Sequence, residues 1–507
     1  FTPVNLDYRD SVPDTPTNSF ATLNPLDNIS TTYSEGNLQY AQSDYNYNSR
    51  GTMAVTSGKW YWEIRMSSTH GEFGVCEQGK AGQSDPQANI GFNFIYNNGS
   101  AGISWKNATA GSQATTGISM TNWSAGDICQ IAYDADNGIL YHGLNGTYQT
   151  SGDPAAGSGG LITGIAPQFG GTMVPFFGSG TGNARTWVVN FGQDSSFAGL
   201  VATSNANADG NGHGSFAYAP PSGYLALCSQ NLPDVDIIDG TENFNTVLYT
   251  GTGSTRSVSG VGFQPDWVWL KDRTTAYDHH LFDAVRGGGN SLYSNDAVVE
   301  NTYATDITFA SNGFSIADGG STPQIYINKN NDSFVSWNWL AGTAFSNDAS
   351  ATSVGTIDST GQVNTKAGFS IVSWTGTGSA GTIAHGISKP ELIIVKNRDQ
   401  ADKWVVYHEG QNANPATGYV SLNETSAFGA SSSVWNDTAP TSTVFSVGTG
   451  GSVNASSEKY ISYIFHSVEG YSKFGSYTGN GNADGAFVYT GFRPAFTIIK
   501  RVDATQK

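Results

Sequence analysis

The stretch LYTGTGSTRSVSGVGFQPDWVWLKDR at 248–273 decides how the chain is organised, because it returns as SWTGTGSAGTIAHGISKPELIIVKNR at 373–398. Thr250-Gly251-Thr252-Gly253 reappears as Thr375-Gly376-Thr377-Gly378, 125 residues later. Pro265, Lys271 and Arg273 reappear as Pro390, Lys396 and Arg398 at the same spacing. The far ends correspond too: Phe334-Val335-Ser336-Trp337 answers Tyr460-Ile461-Ser462-Tyr463 at a spacing of 126. An offset held this constantly marks residues 244–345 and 368–470 as tandem copies of one domain, with 346–367 expected as a linker between them.

Each copy has the same plan. An aromatic strand carries Tyr249 or Trp374 and runs into a Thr-Gly-x-Gly turn, where glycine permits positive φ. A proline then stands at the start of an apolar strand, where a missing N–H is tolerated. The closing strand alternates aromatics, Trp337 and Trp339 in one copy, Tyr463 and Phe465 in the other. Short strands at this spacing predict a β-sandwich. A third opening, SYTGNGNADGAFVYTGFRPAFTIIKRVD at 476–503, puts Pro494 and Lys500 104 residues after Pro390 and Lys396. Residues 471–507 are expected to hold the first strands of an incomplete third copy. A hairpin alone is marginal in water. The expectation is a longer natural protein, or a second subunit that completes the hairpin by strand addition.

Composition agrees with β-structure. Of 507 residues, 63 are glycine and 12% are aromatic, while only 13% are charged, against about 25% in ordinary soluble proteins. Such a chain is too aromatic for disorder. A net charge of −18 argues against nucleic acid, whose phosphates need clustered Lys and Arg. It argues equally against anionic lipid surfaces. No apolar run is long enough for a membrane-spanning helix. Cys76, Cys129 and Cys228 read as buried free thiols, with a Cys76–Cys129 bridge as the alternative.

Residues 30–198 have another texture. GKWYWEIRM at 58–66, GEFGVCE at 71–77, IGFNF at 90–94, VPFFGSG at 174–180 and WVVNFGQ at 187–193 read as strands. In GDICQIAYDADNGILYHGLNGTY at 126–148, Asp136-Asn137-Gly138 and Leu144-Asn145-Gly146 are hairpin signals. Residues 1–29 are expected as an N-terminal arm and 199–243 as a linker. The fold class is therefore all-β, a sandwich followed by tandem β-sandwich repeats.

The ordered blocks GKWYWE, FGV, GDI…DADNG…LNG and VVNFGQ resemble the SPRY domain, a concanavalin-like jelly-roll sandwich. The resemblance implies a binding module whose edge loops hold a protein or glycan. Residues 217–507, with GFQPDWVWLKDR, HHLFDAVRG and FVSWNWLAG, resemble repeats of marine bacteriophage structural proteins of tail-fibre or virion-surface type.

No nucleophile elbow, HExxH helix or phosphate-binding loop occurs in the sequence, and no catalytic residue is expected. No cofactor is expected. Asn205-x-Asn207-x-Asp209-Gly210 and Asn480-x-Asn482-x-Asp484-Gly485 have the oxygens for Ca²⁺, but plain turns are the preferred reading. His279 and His280 with Asp283 and Arg286 form the densest polar cluster, read as a ligand site or metal pair against a hairpin held by Asp–Arg pairing. Most alternating tryptophans should pack in cores. Trp105 and Trp123, in Asn/Ser/Thr-rich stretches expected to be loops, are candidates for stacking on sugar, with Tyr96, Asn97 and Asn98 as a polar loop beside them.

Together these features imply a non-enzymatic phage virion surface protein, of tail-fibre or appendage type, whose sandwich loops bind a host surface glycan or protein. Expected partners are other virion proteins, identical subunits and the host glycan or protein, with no membrane insertion and a virion-surface or extracellular location. Alternatives are a capsid decoration protein, a cellular adhesin or extracellular filament subunit, and a polysaccharide depolymerase.

Overall fold

The computed structural model describes residues 13–27, 31–42, 48–78, 92–98, 103–107, 113–117, 120–166, 172–178, 185–202, 206–233, 235–302, 306–317 and 323–504. The chain divides into two compact units. Unit 1 holds Phe1–Asp234 with Gly475–Gly491, and unit 2 holds Val235–Phe474 with Phe492–Lys507. The fold class expected from the sequence, all-β, is the fold class of the structure; among the described residues the longest helix is Pro323–Asn328, and no helix is long and apolar enough to cross a membrane.

The strands of unit 1 are β1 (Thr32–Ser34), β2 (Gln39–Gln42), β3 (Asn48–Arg50), β4 (Lys59–Met66), β5 (His70–Glu77), β6 (Phe92–Asn98) and β7 (Ile103–Asn107). Then come β8 (Gln113–Gly117), β9 (Ile128–Asp134), β10 (Ile139–Leu144), β11 (Thr147–Tyr148), β12 (Met173–Gly178), β13 (Arg185–Asn190) and β14 (Leu225–Ala226). One sheet runs β1-β2-β13-β4-β9-β10-β11, and the other β3-β12-β5-β6-β7-β8. Both hairpin signals form: Asp134 pairs with Ile139 around Asn137-Gly138, and Leu144 pairs with Thr147 around Asn145-Gly146. In the second turn Asn145 and Gly146 both have positive φ, 47° and 86°, the left-handed pair that a two-residue turn needs.

In β4, Trp60 through Ile64 are all buried, on both faces of the strand. The reason is a second layer. Phe216 packs edge-on to Tyr61 at 5.0 Å, Tyr224, Leu227 and Cys228 join the same core, and β14 adds to β4 in parallel. So 206–232, expected as linker, is a cover over the outer face of the sheet. The expected N-terminal arm also differs. Phe20, Ala21 and Leu23 are core residues, Ala21 N donates to Leu227 O at 2.9 Å, and Asp27 holds Arg50 at 2.5 Å. Apolar side chains at 20, 21 and 23 lose more by exposure than the chain gains by staying free. All three cysteines are buried, and no disulfide joins Cys76 to Cys129.

Unit 2 contains β15 (Phe244–Thr250), β16 (Arg256–Ser259), β17 (Trp267–Asp272), β18 (His280–Asp283), β19 (Asn290–Tyr293), β20 (Asn301–Thr302), β21 (Ile307–Ala310), β22 (Gly313–Ile316) and β23 (Ser333–Trp339). It continues with β24 (Thr343–Asn347), β25 (Ser359–Asn364), β26 (Phe369–Thr375), β27 (Gly381–Ala384), β28 (Leu392–Asn397) and β29 (Val405–His408). The last strands are β30 (Gly418–Ser421), β31 (Gly429–Ala430), β32 (Val444–Val447) and β33 (Lys459–Phe465).

The two copies fold alike. The main sheet of copy 1 is ordered β15-β23-β17-β18-β19-β20, and that of copy 2 β26-β33-β28-β29-β30-β31, extended outward from β26 by β25 and β24. The segment expected as a linker at 346–367 thus contributes β25 to the copy 2 sheet. Both Thr-Gly-x-Gly turns are clamped by an asparagine. Thr252 N donates to Asn328 Oδ1 at 2.9 Å and Asn328 Nδ2 donates to Ser254 O at 2.7 Å. Thr377 N donates to Asn454 Oδ1 at 2.8 Å and Asn454 Nδ2 donates to Ser379 O at 2.6 Å. A Cβ on Gly251 or Gly376 would lie 2.0 or 2.1 Å from a backbone carbonyl oxygen, so each must be glycine.

Each main sheet buries both faces. Val268 and Leu270 pack into their own copy's core with Phe314 and Ile316, while Trp267 and Trp269 share a cluster with Ile371, Ile461 and Tyr463 of the other copy. Two-sided burial is why the β17 stretch reads as a continuous apolar run.

The expected opening strands of a third copy do not form among the described residues: the last strand ends at Phe465. The topology supplies the reason. In copies 1 and 2 the first and third strands are not partners; both pair with the closing strand, β23 or β33, that lies between them. Phe496 instead lies on copy 1 aromatics, 5.4 Å from Trp339 and 5.8 Å from Phe244.

Candidate functional site

The His279–Arg286 cluster sits on β18 and the turn that follows. Asp283 is fully buried, and its carboxylate takes Arg286 Nε at 2.5 Å and the Tyr463 hydroxyl at 2.8 Å. Arg286 Nη1 reaches Glu300 at 2.9 Å, and Glu300 also binds Arg398 Nη2 at 2.6 Å. Burial pushes the Glu300 carboxyl up, but the hydrogen bonds and charges of Arg398 and Arg286 outweigh it and hold the group below its ordinary value. The cluster therefore joins the two copies: Asp283, Arg286 and Glu300 come from copy 1, Arg398 and Tyr463 from copy 2. This geometry is that of a buried polar clamp and leaves no charge of Asp283 or Arg286 turned to solvent.

The two histidines pack within copy 1. His279 accepts the Trp269 indole N–H at 2.9 Å through Nδ1. His280 is buried, sits 3.1 Å from the Ser291 hydroxyl, and is pushed down to about 3 by burial, with His279 and Lys271 adding to the effect. Among the described residues no three His, Cys, Asp or Glu side chains are grouped to hold a metal ion.

In unit 1 the expected polar loop is strand. Tyr96, Asn97 and Asn98 end β6 and pair with Glu72, Gly71 and His70 of β5. Trp105 lies in β7, opposite Phe94 on one side and Thr115 of β8 on the other. The side chains of Tyr96, Asn97, Asn98 and Trp105 lie outside the described residues. β6 and β7 thus carry these residues, next to the edge strand β8 of one sheet. Trp123 corrects the sequence expectation. It is 1% exposed, packed 4.9 Å from Phe73 and 5.7 Å from His142, so it cannot stack on a sugar. Its polar neighbours in sequence misled, because burial was decided by the sheet beneath it.

The candidate calcium loops are internally bonded turns. Asp209 Oδ1 accepts the amides of Asn211 and His213, both at 2.9 Å. Its Oδ2 accepts Ala226 N at 2.8 Å and Asn231 Nδ2 at 2.6 Å. Asn205 lies outside the described residues. In the second loop Asn480 Oδ1 accepts Asn482 N at 3.0 Å and Asn482 Oδ1 accepts Asp484 N at 3.2 Å.

Sequence reading missed Glu63, a buried carboxylate on β4. It accepts Ala217 N at 2.9 Å, Tyr218 N at 2.8 Å and the Tyr61 hydroxyl at 2.9 Å. Burial raises it to about 7, against the opposing pull of those amides. The alternation of β4 was the available signal, since it puts Glu63 on the face of Tyr61. Only the cover at 206–232 makes that face an interior.

A protein-family model described as a domain of unknown function (DUF7483) matches residues 239–507. No curated protein matches the chain. Among solved structures, the SPRY domain of human HERC1 is similar over 33% of this chain and 96% of its own, at 12% identity and a TM-score of 0.26. The TRIM65 PSpry domain is similar over 34% of this chain and 92% of its own, at 14% identity and a TM-score of 0.25.

Proposed function

The chain belongs to the DUF7483 family, and we propose that it is a non-enzymatic surface protein of a phage virion, tail fibre or appendage in type, that binds a host surface glycan or protein. The observation that carries this reading is the build of unit 1. A sandwich with buried aromatic layers supports two adjacent strands next to the edge strand β8, β6 with Tyr96, Asn97 and Asn98 and β7 with Trp105. Strand pairing fixes the backbone at these positions, which lowers the ordering cost of binding. The polar clusters of unit 2 are engaged in holding its two copies together, which favours a scaffold role there. Repetition would supply reach and many identical subunits would supply avidity.

Adsorption of the purified chain to host cells tests the reading. Trp105→Ala is expected to weaken adsorption while the melting temperature holds. Unchanged adsorption by a folded Trp105→Ala chain would count against β7 as the binding strand. Release of reducing ends from host polysaccharide would replace the reading with a depolymerase.

A further inference from the structure

Copy 1 leaves open a sheet edge that copy 2 closes. In copy 2, β26 has β33 on one side and β25 on the other. Its equivalent in copy 1, β15, is the outermost strand among the described residues, with β23 as its neighbour. Asn243 O accepts Leu340 N at 2.9 Å and Gly251 N donates to Asp332 O at 2.8 Å, so odd-numbered residues face β23. Antiparallel alternation turns the backbone of Phe244, Thr246 and Leu248 to the open side, where Thr246 N donates locally to Asn245 Oδ1 at 2.9 Å, a bond an added strand would replace. The Leu248 side chain is 61% exposed. The strand reads Phe-Asn-Thr-Val-Leu-Tyr-Thr, without the lysines or prolines that guard sheet edges. In copy 2 the corresponding Ile371 and Ser373 meet Gln362 and Thr360 of β25.

A second observation supplies the matching element. Residues 496–500, Phe-Thr-Ile-Ile-Lys, stand by sequence where β17 and β28 stand in the two copies. Those two strands are central and almost wholly buried. Here Ile498 and Ile499 are 49% and 67% exposed and no ladder forms. The segment is held at its ends, by Phe496 on the copy 1 aromatics, by Lys500 Nζ donating to Glu424 O at 2.5 Å and by Phe428 N donating to Val502 O at 2.9 Å. Strand addition would exchange these contacts. Arg493, Lys500 and Arg501 make this segment basic, whereas Asp236, Asp239 and Glu242 make the approach to β15 acidic. Arg501 is held by Asp503 at 2.7 Å, but an exposed pair of this kind exchanges readily.

We propose that the open edge of β15 accepts residues 496–502 of a second copy of this chain as an added antiparallel strand, joining copies head to tail. The proposal does not rest on the host-binding reading. Main-chain hydrogen bonds along β15 give the affinity, and the two isoleucines give the register.

Sedimentation velocity of the full chain is expected to show species heavier than the monomer, growing with concentration. Leu248→Pro blocks the edge and removes only an N–H that faces away from β23, which an edge strand tolerates. Leu248→Lys blocks it with the backbone intact and serves where the proline disturbs the circular dichroism spectrum. Ile498→Lys with Ile499→Lys blocks the donor. Each variant alone is expected to be monomeric, and an equimolar mixture of edge-blocked and donor-blocked chains to form a heterodimer. A wild-type chain that stays monomeric overturns the proposal. So does a donor-blocked chain that associates as the wild type does, or a mixture that stays monomeric.

Discussion

The rings of Trp267 and Tyr463 stack 4.1 Å apart, 13° from parallel, one from each copy of the repeat. Trp267 also lies 4.3 Å from Trp339 and 5.8 Å from Phe369. The two copies are thus joined through an aromatic layer, and the hydroxyl of the same Tyr463 reaches past it to Asp283. An aromatic layer and a charged clamp share one residue, which ties the order of the clamp to the packing of the layer.

Glu300 is the pivot of that clamp, bound by Arg286 and Arg398 together. Glu300→Ala leaves the buried Arg286 guanidinium with less compensation, and is expected to destabilise unit 2 by about 3–5 kcal/mol. Urea unfolding followed by tryptophan fluorescence reads this. A loss no larger than that of an exposed pair, under about 1 kcal/mol, would mean that the clamp contributes little.

Glu63 predicts a pH dependence of opposite sign to the usual carboxylate. Its folded value is raised to about 7 from 4.5, so the folded state keeps the proton that the unfolded state has released. Stability from this group is full below pH 4.5 and is lost as pH rises through about 7. Glu63→Gln is expected to flatten the fall of the unfolding free energy over that window, measured by denaturant titration across pH. An unchanged slope in the variant would place the titration elsewhere.

His142 predicts the reverse. It lies 5.7 Å from the Phe73 ring, and burial lowers it to about 4 from 6.5. The unfolded state takes up a proton that the folded state refuses. Its contribution is present above pH 6.5 and is lost as pH falls through about 4. His142→Phe removes the titrating group, so its melting temperature is expected to drop less on acidification than that of the wild type. Differential scanning calorimetry at pH 7 and pH 5 separates the two.

Much of the fold was legible. The 125-residue offset located both copies, and Asp136-Asn137-Gly138 located a hairpin, because repeats and turns are local signals. Burial was less legible. Trp123 looks like a loop residue and is core, Ala21 and Leu23 look like an arm and are core, and Glu63 looks like a strand's wet face and is enclosed. In each case the deciding neighbour is remote in sequence. At the candidate site, sequence picked Asp283 and Arg286 but not Glu300 or Arg398, since no local pattern links residues 286, 300 and 398.

The all-β class, the duplication and the turns follow from local signals, because periodicity, glycine and proline act through nearby backbone. Strand neighbours follow from the three-dimensional packing alone. It placed β23 between β15 and β17, so the opening segment at 476–503 has two strand-like stretches that are not each other's partners. It closed the edge of β26 and left that of β15 open. Strand pairing is set by contacts between residues far apart in the chain, and the same sequence motif is a buried strand or an exposed segment according to whether its partner is there.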